Sequence, residues 1–214
     1  MRVTRPVDWR PHLLVPETCV WLPIADDRDL RSVAETAAAK LLGPDSSAKQ
    51  RKLFGRFLEE GTISARQRSP SMAGLVFYPD LNRVPPIANI EVQTWHPAPP
   101  NDPLTLEFFR HAHGIPGPET VGEIEVSEVD LPAGPALRIH RQRAIRQGRR
   151  RGQILREDLI YSVLPRQITS AVEINVSWSE LAFGPSLIKM ADAVAKTLTI
   201  KPIGEVRDLS RGGS

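Results

Sequence analysis

Residues 121–179 read VGEIEVSEVDLPAGPALRIHRQRAIRQGRRRGQILREDLIYSVLPRQITSAVEINVSWS, and their spacing decides the fold. From Val121 to Val129 the residues alternate, Ile124 and Val126 on one side and Glu123, Glu125 and Ser127 on the other. A period of two is that of a half-buried strand. Leu131-Pro132-Ala133-Gly134 turns the chain into a second strand over 135–145, QGRRRGQ interrupts, and LREDLIYSVL over 155–164 makes a third. Residues 171–179 alternate most regularly, with Val172, Ile174, Val176 and Trp178 opposite Glu173, Asn175, Ser177 and Ser179. Parallel pairing would need crossover helices between these strands, and the segment has no room for them. The expectation is an α+β fold around an antiparallel sheet.

Working outward, Met72–Tyr78 and Ala88–Trp95 read as another antiparallel pair. Upstream, the apolar positions Leu30, Val33, Ala34, Ala37 and Leu41 predict a helix over 28–42, with Asp26 and Asp27 as its cap and Gly43-Pro44 as its stop. A second helix is expected over 46–60, closed by Gly61, which makes an N-terminal helical pair. A C-terminal amphipathic helix over 186–198 places Leu187, Met190, Ala191, Val194 and Leu198 on one side. Leu13–Ile24 is extended but broken by Pro16 and Pro23. HPAPPNDP at 96–103 and HGIPGPE at 113–119 are expected loops. The expected organisation is one α+β domain over 1–202 and a flexible tail over 203–214.

With 214 residues, 41% hydrophobic and 25% charged, the chain is too apolar for a disordered protein. No window approaches the ~18 apolar residues of a membrane-spanning helix. The opening MRVTRPVDWRPHLLVPE contains no apolar h-region, so a cytoplasmic protein without a secretory signal is expected. Cys19, the one cysteine, excludes an intramolecular disulfide and any multi-cysteine zinc site. The net charge of +3 conceals a strong segregation. Residues 131–156 carry eight arginines (Arg138, Arg141, Arg143, Arg146, Arg149, Arg150, Arg151, Arg156) and no acid, and subtracting that +8 leaves −5 on the remainder. Residues 119–130, just before, hold five acids and no base.

Three segments carry a resemblance: LPAGPALR at 131–138, IYSVLP at 160–165 and ADAVAKTL at 191–198. With the order of elements around them, they resemble the PsbP-like fold, most of all its actinobacterial members of the LpqN type. The resemblance covers about two-thirds of the chain and rests on structural motifs. It implies binding or assembly rather than catalysis, since members of that fold serve as a subunit of the photosynthetic oxygen-evolving complex, a partner of the Ran GTPase, or envelope lipoproteins. It brings no shared catalytic set, and Cys19 follows no h-region, so the lipoprotein signal of those members is not expected here.

The loudest candidate site is the arginine block. QGRRRGQ is expected at a hairpin tip, where clustered guanidinium groups can engage an acidic protein surface or nucleic-acid phosphates. No aromatic residue interleaves with the arginines to stack on bases, so a protein partner is the first expectation and an anionic polymer the alternative. A solvated hairpin, partly neutralised by Glu123, Glu125 and Glu128, is the plainer reading. The expected partner surface comprises Arg141, Arg143, Arg146, Arg149, Arg150 and Arg151 with Trp95 and His96, which border the first proline loop. A third possibility is a small-molecule or enzymatic pocket between sheet and terminal helix. His111 and His113 would share one face of a strand, but no third ligand is near, so a surface loop and no metal are expected. Phosphate-loop, dinucleotide, zincin and serine-elbow motifs are all missing. The expectation is therefore a non-enzymatic protein with no cofactor.

Overall fold

The computed structural model describes residues 9–24, 30–43, 46–78, 85–97, 103–146 and 152–203. A short strand β1 (Trp9–His12) opens the described residues, followed by β2 (Cys19–Trp21). Then come the helices α1 (Leu30–Leu42) and α2 (Ala48–Arg68) and the strands β3 (Met72–Val76) and β4 (Ala88–Trp95). Helix α3 (Leu106–His113) precedes four long strands: β5 (Thr120–Leu131), β6 (Gly134–Arg146), β7 (Gln153–Val163) and β8 (Ala171–Trp178). Helix α4 (Gly184–Lys196) and β9 (Thr199–Pro202) close the described chain. The fold is α+β. Its main sheet has seven strands in the order β2-β3-β4-β8-β7-β6-β5, all pairs antiparallel.

The alternation in the sequence produces two different sheet faces. One face carries Val172, Ile174, Val176 and Trp178 of β8 with Leu159, Tyr161 and Val163 of β7, and α4 covers it with Leu187, Ala191, Val194 and Ala195. Leu198 joins them from just after the helix, which ends two residues before the expected 198. On the other face α1 and α2 sit over β3, where Phe54, Leu58 and Ala65 meet Ala73, Leu75 and Phe77. Helix α3 sits over the far strands of that same face, with Phe109 against Leu137, Ile139, Ile160 and Ala171. Between the two helical roofs the second face is polar. Glu173 and Ser177, which alternation placed on a solvent side, are nonetheless buried.

Several expectations change in detail. Helix α2 runs past Gly61 to Arg68 and stops at Ser69, a left-handed residue with φ 52°. Ser47 caps its start, accepting from the Gln50 amide, in a capping box. Gly61 is there for packing, since a Cβ at that position would lie 3.0 Å from Leu75 Cδ1. Residues 106–113 form α3, which the sequence reading lacked, and its amphipathic order places Phe109 inward. The tail expected from 203 is preceded by β9, which pairs with β1. Residues 204–214 lie outside the described residues.

Gly134 begins β6 immediately after the two-residue turn from β5. A Cβ there would approach the Leu164 backbone oxygen to 2.1 Å, and no side-chain rotation can relieve a contact with main chain. Gly134→Ala is expected to destabilise the protein by at least about 2 kcal/mol, read as a lower urea midpoint with an unchanged slope.

Candidate functional site

The β6–β7 hairpin distributes the arginine block over both sheet faces. Arg141 pairs across the hairpin with Asp158, and Arg143 with Arg156. All four side chains fall on the α3 side, and Asp158 is fully buried. Its carboxylate serves three cations. Arg143 Nε donates to Oδ2 at 2.5 Å, Arg156 Nε to Oδ1 at 3.1 Å, and Arg141 Nε lies 3.5 Å from Oδ2. Arg156 Nη2 donates to Ser177 Oγ at 2.5 Å, and Arg143 also faces Glu119 at 3.6 Å.

This corrects the expected neutralisation by Glu123, Glu125 and Glu128. Glu125 faces His140 at 3.6 Å and Glu128 accepts from Arg110 Nη2 at 2.7 Å, while no arginine of the block pairs with any of the three among the described residues. Register is the reason. Glu125 lies opposite His140 on the α4 side, and Glu128 points toward α3 at the level of Leu137. The counter-charge for Arg141 and Arg143 comes from β7 instead. Arg146, at the end of β6, is exposed, and Arg149, Arg150 and Arg151 lie outside the described residues.

On the α4 side, Arg138 Nε donates to Asp192 Oδ1 at 3.1 Å and to Tyr161 Oη at 3.2 Å. The Tyr161 hydroxyl donates to the same Asp192 carboxylate. Burial, and then that bond to Asp192, push the Tyr161 phenol well above its ordinary range. Next along the strands, His140 stands between Glu125 and Glu157 (3.6 and 3.7 Å) and stacks on Trp178. Gln142 Nε2 donates to Glu157 Oε1 at 2.8 Å.

Trp95 and His96 occupy the other end of the sheet. Trp95 meets Phe108 and Phe109 edge-on, with ring centroids 6.1 and 5.9 Å away. His96 Nδ1 lies 2.9 Å from Ser170 Oγ, and its ring is 6.3 Å from that of Trp9. Thr94 and Val163 both align with Val172, whereas Arg146 aligns with Gln153. Ten residues of β7 therefore separate the two levels, or about 33 Å at ~3.3 Å per residue. Among the described residues expected to form one surface, Trp95 and His96 thus sit at the opposite end of the strands from Arg146. Helix α3 connects them. Its Phe108 and Phe109 touch Trp95, and the loop after it leads to Glu119, whose carbonyl accepts from the Ala144 amide at 2.7 Å.

The histidine pair is also placed differently from its expectation. His111 and His113 belong to α3, not to a strand or loop, and two residues apart on a helix they do not share a face. His113 Nε2 instead lies 2.7 Å from Glu173 Oε2, which fastens α3 to β8. No group of three or more His, Cys, Asp or Glu side chains among the described residues could hold a metal ion. No described helix is long and apolar enough to cross a membrane.

The order of helices and strands, with α4 over one sheet face and the α1–α2 pair over the other, can be compared with solved structures. The crystal structure of LpqN, involved in cell envelope biogenesis of Mycobacterium tuberculosis, is similar with a TM-score of 0.51 over 94% of this chain and 88% of that one. At 16% identity this is a likeness of fold. The α+β arrangement is that of LpqN, as the resemblance to PsbP-like proteins of the LpqN type implied. The solution structure of PsbP (CyanoP) from Synechocystis sp. PCC 6803 matches at 11% identity and a TM-score of 0.39, over 94% of this chain and 97% of that one. No protein-family model and no curated protein sequence matches the chain.

Two residues of this sheet make direct predictions. Asp158→Asn removes the charge that three guanidinium groups share, these groups being 18–25% exposed. Breaking a buried pair by deleting one partner costs about 3–5 kcal/mol, and a loss of that size is expected in urea unfolding. Cys19 is the second. Burial raises its thiol to about 12, so almost none is thiolate at pH 8. A thiol reagent at pH 8 should label the native protein at least tenfold more slowly than the urea-unfolded chain.

Proposed function

We propose that this chain is a non-enzymatic interaction module, residues 1–202 acting as one unit, which binds a protein partner through the surface that runs along α3. The observation that carries this reading is the exposed apolar surface of α3 and the loop after it. Phe108, which touches Trp95, is 43% exposed and Ile115 is 55% exposed. Large apolar side chains left in water beside proline-containing loops are characteristic of surfaces that another protein covers. The proline segment 96–103 precedes α3, and the segment 113–118 begins at its last residue, His113.

In this reading the partner lies along α3, with Trp95 and His96 under one end and the arginine end of the β6–β7 hairpin under the other. A standard interface of about 800 Å² per partner is roughly 30 Å across, enough to reach both. Within the hairpin the roles of the arginines differ. Arg141 and Arg143 are held at Asp158 and shape the surface from below, while Arg146 and Arg149–Arg151 supply the charge that meets an acidic partner. With Arg138, Arg141, Arg143 and Arg156 engaged internally, at most half of the block's charge faces outward, which weighs against an anionic polymer as the main ligand. The structural neighbour LpqN is involved in cell envelope biogenesis.

Affinity capture with the intact protein tests this, repeated with Arg149, Arg150 and Arg151 changed to Ala and, separately, with Phe108→Ser. Both variants should fold as the wild type and retain at least tenfold less of the same captured protein. Equal capture by all three proteins would overturn the reading.

A further inference from the structure

The polar strip between the two helical roofs contains a cavity that the proposed partner surface does not use. It lies under α2, has a volume of about 110 Å³, and is lined on its polar side by Ser64, Arg68, Asn89, Glu91 and Arg156. At ~30 Å³ per water this is room for a few waters or for one small anion with part of its shell. Arg156 belongs to β7 and reaches the cavity across β8, where its Nη2 meets Ser177.

Charge in this region is unbalanced. Arg68 donates through Nε and Nη2 to the Glu91 carboxylate and is neutralised there, with its Nη1 on Ser64 Oγ. Arg156 has only a share of Asp158, whose other oxygen is taken by Arg143 and Arg141. Glu119 offsets part of the surplus, but at Arg143, away from the cavity. Burial lowers the Arg156 guanidinium from its usual value, Arg143 and Arg68 add to that, and Asp158 and Glu91 oppose it. Its Nη1 makes no hydrogen bond among the described residues. An under-compensated guanidinium at the wall of a polar cavity is a group with which proteins hold planar or tetrahedral oxyanions.

We infer that the cavity under α2 is a binding site for a small oxyanion, a phosphate group or a short carboxylate, held by Arg156 with Asn89 and Ser64 beside it. The ion enters as the counter-charge that three arginines sharing one aspartate lack. The site is separate from the hairpin tip, and its partner is a small molecule, not a macromolecular surface.

Inorganic phosphate titrated into the full-length chain at constant ionic strength, balanced with chloride, tests this by calorimetry and by the shift in Tm. Saturable binding is expected, with a Tm that rises with phosphate as ligand linkage requires. Acetate is the second probe, and its affinity relative to phosphate distinguishes a carboxylate site from a phosphate site. Asn89→Leu fills the cavity and leaves the ion cluster in place. It should weaken binding at least tenfold with far-UV circular dichroism unchanged. Arg156→Lys, which keeps the charge and loses the fork, should weaken it as well and serves if Asn89→Leu does not fold. Changing Arg149, Arg150 and Arg151 to Ala should leave binding intact. The inference is overturned if neither phosphate nor acetate binds saturably, if the cavity variants bind as the wild type does, or if binding is lost with the hairpin arginines.

Discussion

Asp158 and the three guanidinium groups around it constrain most of what the sheet can do. A carboxylate with no exposed surface, on the third strand from one edge, cannot exist there without cations, and the cations come from its own strand and from β6. The requirement fixes register. A slip of one residue in β7 would turn Asp158 toward the α4 side, beside Val176, and place Leu159 among the arginines. Desolvating four charges is expensive, and their mutual attraction offsets it only if the geometry is kept. The hairpin therefore has one acceptable pairing, and that pairing decides which arginines point inward and which reach its tip.

The rest of the molecule arranges itself around this division. On the α4 side, apolar residues of β4, β7 and β8 make a dry core, with polar groups confined to the β6 margin, where Arg138, His140 and Gln142 each find a carboxylate. On the other side, the helical pair and α3 each cover an apolar end of the sheet. The strip between them is the place for Asp158, Arg156, Glu91 and Asn89. Helix α3 is held from beneath by His113 on Glu173 and by Phe109 in the core, which leaves Phe108 outward. Placement of polar and apolar groups under the helices thus creates both the surface and the cavity to which functions are ascribed above.

Much of the fold was legible in the chain because period-two alternation survives wherever one face is covered. The antiparallel order from β5 to β8 and the β3–β4 pair follow from it, and the helical pair and α4 follow from the 3.6-residue period of their apolar positions. What escaped has physical causes. The end of α2 was misplaced because a glycine chosen for its small size against Leu75 looks the same in sequence as one that ends a helix. Helix α3 was hidden between proline segments, and β1 and β9 are four-residue strands with weak patterns. Asp158 was passed over as one of three consecutive charges, Arg156, Glu157 and Asp158, at the start of an otherwise apolar strand. The observed register, Arg146 opposite Gln153, sets Arg141 opposite Asp158 and Arg143 opposite Arg156. Symmetric counting from the ends of QGRRRGQ is one residue off and turns Asp158 to the other face, so the cluster was not legible from the loop alone. The separation of Trp95 from the arginine tip needed the β4–β8 pairing, a long-range contact that no local pattern contains.

The central claim is that one buried carboxylate holds Arg141, Arg143 and Arg156 inside while Arg146 stays in solvent. Hydrogen exchange at the arginine Nε–H groups, followed by nitrogen-15 NMR, measures this directly. The Nε–H protons of Arg143 and Arg156, both donors to Asp158, should exchange at least a hundredfold more slowly than that of Arg146. Exchange at one common fast rate for all of them would contradict the account.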